Sequence, residues 1–293
     1  MRIYTRAGDM SFELFTFPDG QPHLKLLTDP VDDSFHEATI ETAIRNPMEL
    51  FTTLLAKDVL ANNGYKVNLD IRYLMGARMD RRIGDEHPFT LSQVANVLLC
   101  GGNQFNNFRI LDCHSNVALG MLEAENVLPE QVVRDVLNQL PPQRIIIPDM
   151  GATERVTELS HHYLGWHKSI AVQCVKHRDM QTGKLTGFEV KQPTAVRGKE
   201  CLIIDDICDG GGTFIGLAEA LREAGATKVR LFVTHGIFSK GLPLKGIDRV
   251  FTTNSYHETK EDWREWQSRH HSMLSQDILD SLTVIPISMK ELK

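Results

Sequence analysis

Short apolar runs and amphipathic stretches alternate along most of the chain. The apolar runs have the length of β-strands, and they cover positions 67–74, 108–111, 144–147, 170–175, 202–204 and 229–233. Between many of these runs, apolar residues recur at helical spacing, within 48–59, 91–98 and 132–136. Alternating strands and helices favour parallel sheets covered by helices on both faces. The pattern therefore predicts an α/β fold with mainly parallel sheets flanked by helices.

The length of the chain, 293 residues, is enough for two domains. The Pro141-Pro142 pair follows a predicted helix and interrupts the regular alternation, which is typical of a boundary. We therefore predict an N-terminal domain at 1–141 and a C-terminal domain at 142–293. Both halves contain a strand that ends in an acidic residue, as two related units would.

Composition and charge exclude several classes of protein. A net charge of −6 offers no general attraction for nucleic acid or for an anionic membrane, so we expect neither as a partner. The five cysteines are odd in number and lie mostly inside apolar runs, which indicates reduced thiols. The N-terminal segment has acidic residues and no apolar signal region, and no apolar stretch is long enough to span a bilayer. We expect a cytoplasmic protein, in the host cytoplasm if the source is a virus.

The clearest chemical signal is the stretch CLIIDDICDGGGTF at 201–214. Its apolar run, 202–204, places Asp205 and Asp206 at the carboxyl end of a strand, the edge where open α/β sheets bind ligands. Two carboxylates at this edge can accept hydrogen bonds from the vicinal hydroxyls of a ribose. We therefore predict a sugar site at the end of this strand.

Three glycines and a threonine follow the two acids. Gly210, Gly211 and Gly212 allow the backbone to take positive φ, so that successive N–H groups can converge on a phosphate at the start of the next helix. Thr213 adds a hydroxyl donor. Acid-ended strands and glycine turns are also ordinary features of doubly wound domains, but this combination favours a sugar-phosphate site. The order resembles the phosphoribosyl diphosphate motif, which enzymes that make this compound share with enzymes that use it.

Other segments carry candidate chemistry, each with a purely structural alternative. Arg78 lies in a basic segment that could be a solvated loop. At 111–115, Asp112 and His114 should point the same way and could hold a metal or a polyphosphate, although such a histidine is often structural. Asp149 precedes a glycine turn and a helix, and could bind a diphosphate or simply cap the helix.

A pair of cations follows the apolar run that ends at Val175. Lys176 and Arg178 could meet the charge that develops on phosphoryl oxygens during transfer. The Thr and Gly residues within 182–187 suggest a mobile flap that closes over the reactants. The alternative is a surface charge cluster. The chain has no Walker A lysine loop and no GxGxxG, so any nucleotide site must be built differently.

Taken in order, these segments resemble the ribose-phosphate pyrophosphokinase (phosphoribosyl diphosphate synthetase) family. The matching segments are FPDGQ (17–21), ARMDRR (77–82), PFTLSQVANVL (88–98), LDCHS (111–115), PDMGATERV (148–156), KHR (176–178), DDICDGGGT (205–213) and THGIFS (234–239). A phosphoribosyltransferase would share only the segment with the paired acids and glycines, so the other segments favour synthesis.

The resemblance implies two phosphoribosyltransferase-like domains and transfer of the β,γ-diphosphate of ATP, with Mg²⁺ as cofactor, to the anomeric hydroxyl of a ribose phosphate, releasing AMP. It implies Lys176 and Arg178 as catalytic cations, and His114 and Asp149 as residues touching the metal and diphosphate. It implies ATP contacts, three of them to the adenine from a neighbouring subunit, at Phe17, Asp19, Gln21, Arg78, Met79 and Asp80. It implies ribose-phosphate contacts at Asp205, Asp206, Asp209, Gly210, Gly211, Gly212 and Thr213. A nucleotide site shared between subunits would require a homo-oligomer, a homodimer or a hexamer.

The chain departs from the family pattern at Gln21, Met79 and Ala152, and above all at Gly210, where the family usually has Thr or Ser. Losing this hydroxyl removes a hydrogen bond to a charged group, worth about 1.5–3 kcal/mol, from a terminal phosphate. An open loop would suit a phosphate that continues into something larger. We therefore favour ADP-ribose as acceptor, giving ADP-ribose pyrophosphate for NAD synthesis.

Three alternatives stay open at this point. Ribose 5-phosphate would be the acceptor of an ordinary member, giving phosphoribosyl diphosphate (PRPP) for nucleotide synthesis. The chain could also be an inactive regulatory homologue, or a phosphoribosyltransferase that joins a base to the activated sugar. In addition, Trp263 and Trp266 could either stack on an adenine or anchor an amphipathic helix to the core.

Overall fold

The alternation of strands and helices expected from the sequence is present in the computed structural model, which describes residues 1–27, 36–100, 105–161, 170–178, 185–270 and 280–292. The chain divides into one unit formed by Met1–Val127 with Ser288–Lys293 and a second formed by Leu128–Ile287. The α/β fold class with mainly parallel sheets is thereby confirmed.

The division between the units differs from the predicted one at 141 and lies before the helix Glu130–Gln139. This helix buries Val133 and Leu137 in one apolar cluster with Ile145 of the second unit. A proline pair can therefore follow a helix that already belongs to the next unit. The end of the chain also differs from the prediction, because the guanidinium of Arg109 donates hydrogen bonds to the backbone oxygens of Met289 and Leu292, at 3.2 and 2.7 Å.

The first unit contains a six-stranded sheet with the order β2-β1-β5-β6-β7-β8 and a separate β3-β4 hairpin. Strands β5 to β8 are parallel, and β1 pairs antiparallel with both β2 and β5. The strands are β1 Arg2–Tyr4, β2 Asp9–Met10, β3 Phe12–Thr16, β4 Pro22–Leu26, β5 Glu37–Ile44, β6 Lys66–Leu74, β7 Phe108–Leu111 and β8 Glu125–Val127. The helices are α1 Pro47–Asn62, α2 Thr90–Leu99 and α3 Asn116–Leu122.

Local sequence accounts for the ends of these elements. Helix α1 begins at Pro47, and the side chain of Asn46 accepts a hydrogen bond from the backbone N–H of Glu49 at 3.0 Å. Strand β6 is buried over most of its length, as expected of a parallel strand covered on both faces. The unit is held by one apolar cluster to which strands and helices both contribute.

The second unit contains a seven-stranded sheet with the order β11-β10-β9-β12-β13-β14-β15, parallel except for β11. The strands are β9 Arg144–Ile147, β10 Ala171–Arg178, β11 Leu185–Val190, β12 Glu200–Cys208, β13 Lys228–Gly236, β14 Arg249–Thr253 and β15 Leu282–Ile285. The helices are α4 Glu130–Gln139, α5 Thr153–Leu159, α6 Pro193–Val196, α7 Gly212–Glu223 and α8 Lys260–His270. The two sides of this sheet face two apolar clusters, because alternate strand residues point to opposite sides.

Candidate functional site

The paired acids lie near the carboxyl end of β12, in the interior of the second sheet. The strand continues past them to Cys208, and Asp205 is paired in register with Val233 of β13. The predicted strand at 202–204 is therefore too short, since the sheet extends through both acids. Asp206 is buried and Asp205 is half-buried, so each carboxylate needs a compensating partner.

This partner is Arg155, on helix α5. One guanidinium nitrogen contacts the Asp205 carboxylate, and another lies 3.1 Å from Oδ1 of Asp206. The three side chains are 17%, 16% and 6% exposed, so the contact is largely withdrawn from solvent. Arg155 stands in the PDMGATERV segment but was not among the predicted site residues. No local pattern indicates its role, because its partners lie fifty positions away.

The two charged neighbours of Asp205 shift its pKa in opposite directions. Burial raises the pKa of the Asp205 carboxyl, the neighbouring Asp206 raises this pKa further, and Arg155 acts in the opposite direction. Both carboxylates also accept backbone hydrogen bonds, since Asp206 N–H donates to Asp205 Oδ1 at 3.0 Å and Ile207 N–H to Asp206 Oδ1 at 2.8 Å. The pair is thus held in a fixed orientation.

The glycine loop connects β12 to helix α7. Gly211 is the N-terminal cap with φ +74°, and a Cβ there would lie 2.5 Å from Cδ2 of Leu244, so the position requires glycine. A Cβ on Gly212 would meet nothing within 4 Å. The N-cap residue Gly211 supplies no side-chain capping hydrogen bond. The first N–H groups of a helix that starts in this way can bind an anion, as the predicted phosphate site requires.

A cation reaches this loop from β10. The Nζ atom of Lys176 donates a hydrogen bond to Oγ1 of Thr213 at 3.0 Å, which joins two of the predicted site residues. Lys176 lies within the strand and not after it. Arg178 is the last residue of the strand, and its side chain lies outside the described part of the chain, as do positions 182 and 183 of the predicted flap.

The rest of the predicted flap is also placed by the structure. Thr186 and Gly187 lie within β11, which pairs antiparallel with β10. These two residues therefore belong to an antiparallel pair at the edge of the sheet, and the closing movement of the flap stays a prediction.

Asp149 lies in the turn between β9 and α5. Its Oδ1 atom accepts a hydrogen bond from the backbone N–H of Ala152 at 3.1 Å, the capping role that was the structural alternative. The described residues give its second carboxylate oxygen no hydrogen bond. They also contain no group of three or more His, Cys, Asp or Glu side chains arranged to hold a metal ion.

In the first unit, Asp112 and His114 do not share a face as predicted. Strand β7 ends at Leu111, so the alternation of side chains stops before them. Asp112 takes φ +39° and is fully buried, whereas His114 is exposed. Between them and α3, Ser115 caps the helix and donates a hydrogen bond to Asp80 at 2.8 Å.

The predicted nucleotide residues of this unit lie on two surface features. Arg78 and Met79 are exposed on the loop after β6. Phe17, Asp19 and Gln21 form the tip of the β3-β4 hairpin, where the side-chain amide of Gln21 donates to Asp19 at 2.9 Å. Phe17 is 46% exposed, although a ring of this size is more often buried. The role of these residues in binding ATP stays a prediction.

The two tryptophans of α8 have different environments. Trp263 is 1% exposed and packs edge-on against Phe238, with ring centroids 6.4 Å apart. Trp266 is partly exposed and lies 5.6 Å from the ring of His257. Adenine stacking is therefore wrong for Trp263, which anchors the helix to the core.

Several known proteins are similar to this chain over much of its length. A family model described as a phosphoribosyl transferase domain matches residues 145–271. Ribose-phosphate pyrophosphokinase from Pyrococcus furiosus is 29% identical over 265 residues, covering 86% of this chain and 88% of the relative. The protein of the same name from Thermococcus kodakarensis is 27% identical, covering 85% of this chain and 87% of the relative.

A solved structure supports the fold over nearly the whole length. The phosphoribosylpyrophosphate synthetase from Mycobacterium smegmatis has a TM-score of 0.71 and 20% identity, covering 95% of this chain and 86% of that protein. Among the described helices, none combines the length and the apolar character needed to cross a bilayer. Over most of its length the chain is therefore similar to the ribose-phosphate pyrophosphokinases, which are enzymes of the diphosphotransferase class.

Proposed function

We propose that this chain transfers the β,γ-diphosphate of Mg-ATP to the anomeric hydroxyl of ribose 5-phosphate, giving PRPP and AMP. The names of relatives that match most of the chain support this activity and this acceptor. The observation that carries the proposal is the juxtaposition of the paired acids, the uncapped start of α7 and the Lys176 to Thr213 hydrogen bond. Together they offer hydroxyl acceptors, amide donors and a cation.

The acceptor is held at two points in this mechanism. Its 5′-phosphate binds the N–H groups at Gly211 and Gly212 and the hydroxyl of Thr213, because an uncapped helix start attracts anions. Its ribose hydroxyls donate hydrogen bonds to Asp205 and Asp206. Arg155 fixes these carboxylates before the sugar binds, so little ordering is left for the binding step.

In the transfer, a bond forms between the anomeric oxygen and the β-phosphorus, and the bond from that phosphorus to the α,β-bridging oxygen breaks. The proton of the anomeric hydroxyl passes to solvent, and AMP leaves with the former bridging oxygen on its phosphate. Charge builds up on the phosphoryl oxygens at this moment, and Lys176, already at the loop, is placed to stabilise it. We propose Arg178, which pairs with Leu185 of β11 at the end of β10, as a second cation.

Mg²⁺ enters with ATP as part of the substrate. Magnesium is usually held by one or two carboxylates together with substrate phosphates, so a site built from a single protein carboxylate fits this chemistry. Asp149, with one oxygen not engaged in capping, is the carboxylate we assign to it. When bound, the ion neutralises charge on the β- and γ-phosphates.

For the first unit we propose nucleotide contacts by Arg78, Asp80 and the hairpin tip.

ADP-ribose, the acceptor favoured on sequence, is a second candidate. The comparisons support ribose 5-phosphate better, since the relatives are named for ribose phosphate. One observation favours ADP-ribose: the loop carries no side chain at Gly210 or Gly212, and space beside Gly212 is open. A phosphate that continues into a second phosphate would find room there.

Product analysis tests the proposal. The purified chain is incubated with Mg-ATP and either ribose 5-phosphate or ADP-ribose, and AMP release and product masses are measured. We expect AMP and PRPP with ribose 5-phosphate. A large preference for ADP-ribose would assign the second candidate. Absence of AMP with both acceptors would refute the proposal and leave the regulatory homologue, whereas base-dependent release of pyrophosphate without ATP would identify a phosphoribosyltransferase.

A further inference from the structure

Lys240 lies against the glycine loop, at a position that sequence patterns did not single out. A Cβ built on Gly210 would be 3.4 Å from both Cδ and Cε of Lys240 and 3.6 Å from its Cγ. The lysine stem therefore occupies the space beside Gly210 that a larger residue would use. The ammonium nitrogen is one bond beyond Cε, so it lies close to the glycine loop.

The backbone that carries Lys240 is fixed to the loop. The N–H groups of Ile237 and Phe238 both donate to the backbone oxygen of Cys208, at 2.9 and 3.1 Å. The N–H of Ser239 donates to the backbone oxygen of Asp209 at 3.1 Å. Phe238 is 1% exposed and packs in the apolar core of the second unit, which also holds this segment in place.

The residue after Lys240 is constrained as well. Gly241 has φ +79°, and a Cβ there would lie 2.3 Å from the side-chain amide nitrogen of Gln267. Only glycine fits this position. Lys240 is thus presented by a rigid turn and not by a loose surface loop.

The ammonium group of Lys240 has no partner among the residues that the structure describes. Across the described ranges, no hydrogen bond or ion pair involves its ammonium group. It also lies beside the N-terminus of α7, where the helix dipole disfavours a cation. The side chain of Lys240 is exposed, so water solvates its charge until an anion binds between the helix and the lysine.

We propose that Lys240 is an acceptor-binding residue, whose ammonium group contacts the phosphoryl group on O5′ of the ribose. It takes the place of a side-chain donor at position 210, where Gly210 leaves its stem the space that the outer atoms of a larger side chain would use. The inference rests on the proposed function, because it concerns the phosphate bound at the same loop. That phosphoryl group belongs equally to ribose 5-phosphate and to ADP-ribose.

Steady-state kinetics with both acceptors test the inference, using Lys240→Ala and the control Lys245→Ala. Lys245 is an exposed lysine further along the same connection, and its neighbour Gly246 packs on Ala218, well past the start of α7. Loss of a charged hydrogen bond predicts a rise in acceptor KM of about tenfold or more for Lys240→Ala. The ATP KM and the thermal midpoint should stay unchanged, and Lys245→Ala should match the wild type in all three.

A double-mutant cycle tests the link between Lys240 and Gly210. The φ of Gly210 is not in the left-handed region and its Cβ would make an ordinary contact, so Gly210→Thr should fold. We expect its effect on acceptor KM to be smaller in the Lys240→Ala background than alone, because the threonine then displaces no lysine stem. Strictly additive effects would show that the two positions act independently.

The outcomes separate the inference from the proposed function. If the wild type releases AMP and Lys240→Ala has an unchanged KM for both acceptors, the inference is overturned and the proposed function stands. If the wild type releases no AMP, the proposed function fails and the inference falls with it. Calorimetric titration of ribose 5-phosphate into both proteins gives the same comparison without turnover: weaker binding by Lys240→Ala supports the inference, and equal binding refutes it.

Discussion

Replacing Arg155 by methionine removes a cation that the structure places against both Asp205 and Asp206. Methionine keeps much of the volume of the side chain, so the change isolates the charge. The variant leaves two adjacent, largely buried carboxylates facing each other without their guanidinium partner. We expect a clear loss of stability in the second unit.

The exposures of the three side chains set the magnitude. Breaking a fully buried ion pair costs about 3–5 kcal/mol, because a buried charge is left uncompensated. The exposed fractions of 17%, 16% and 6% allow some access of water. We therefore expect a loss of about 2–4 kcal/mol in the free energy of unfolding. The matched control Arg269→Met breaks a pair with Glu265 whose side chains are 72% and 69% exposed, which should cost at most about 0.5 kcal/mol.

Urea denaturation followed by tryptophan fluorescence measures this loss. All three tryptophans of the chain lie in the sequence of the second unit, so the signal reports on the unit that contains the mutation. Trp263 in particular is buried and should change its emission on unfolding. Midpoints are converted to free energies only if the transition of this unit is two-state.

The stability difference between wild type and Arg155→Met should also depend on pH, in a direction that follows from the pKa of Asp205. The folded pKa of Asp205 is raised above its ordinary value of 3.8 by burial and by Asp206, so its contribution to stability is lost as the pH rises through that raised value. Removing Arg155 should raise this pKa further. The gap between wild type and Arg155→Met should therefore be small at mildly acidic pH and widen towards alkaline pH. A loss no larger than that of Arg269→Met, or a gap independent of pH, would refute the reasoning.

Three further substitutions probe the loop and the core. Lys176→Met should lower kcat about 10²–10³-fold, because it removes a positioned donor to the developing charge. Lys191→Met, just after β11, should leave kcat unchanged, and equal kcat values for both variants would contradict the role of Lys176. Gly211→Ala should cost about 1–3 kcal/mol of stability in chemical denaturation because of its positive φ and a clash, whereas Gly212→Ala should be neutral or stabilising by up to about 1 kcal/mol. Trp263→Ala should cost about 3–5 kcal/mol by the same assay, and a loss below about 1 kcal/mol would show that this side chain does not anchor α8.

The elements of the sheets could be predicted because hydrophobic periodicity is a local signal. The apolar runs at 67–74, 144–147 and 229–233 all lie on strands of the structure. The loop at 209–213 could be predicted in part, since of its three glycines Gly211 has the positive φ that a glycine allows, whereas Gly210 and Gly212 do not. Signals of this kind need no knowledge of distant partners.

Contacts between distant segments could not be predicted in this way. Arg155 meets Asp205 across fifty positions, and Lys240 meets the glycine loop only because β12 and β13 are neighbours in the sheet. The division between the units lies before α4 and not at the proline pair, because the side on which this helix packs is decided by its buried face. Asp112 was misplaced because the strand ends one residue before it.

A crystal structure with bound ribose 5-phosphate is the most direct test of the central claim, that the start of α7 and the paired acids of β12 together hold the acceptor. The account predicts the phosphate within hydrogen-bond distance of the N–H groups of Gly211 and Gly212, with the ribose hydroxyls on Asp205 and Asp206. Density for the sugar phosphate at another place, with this loop empty, would contradict it.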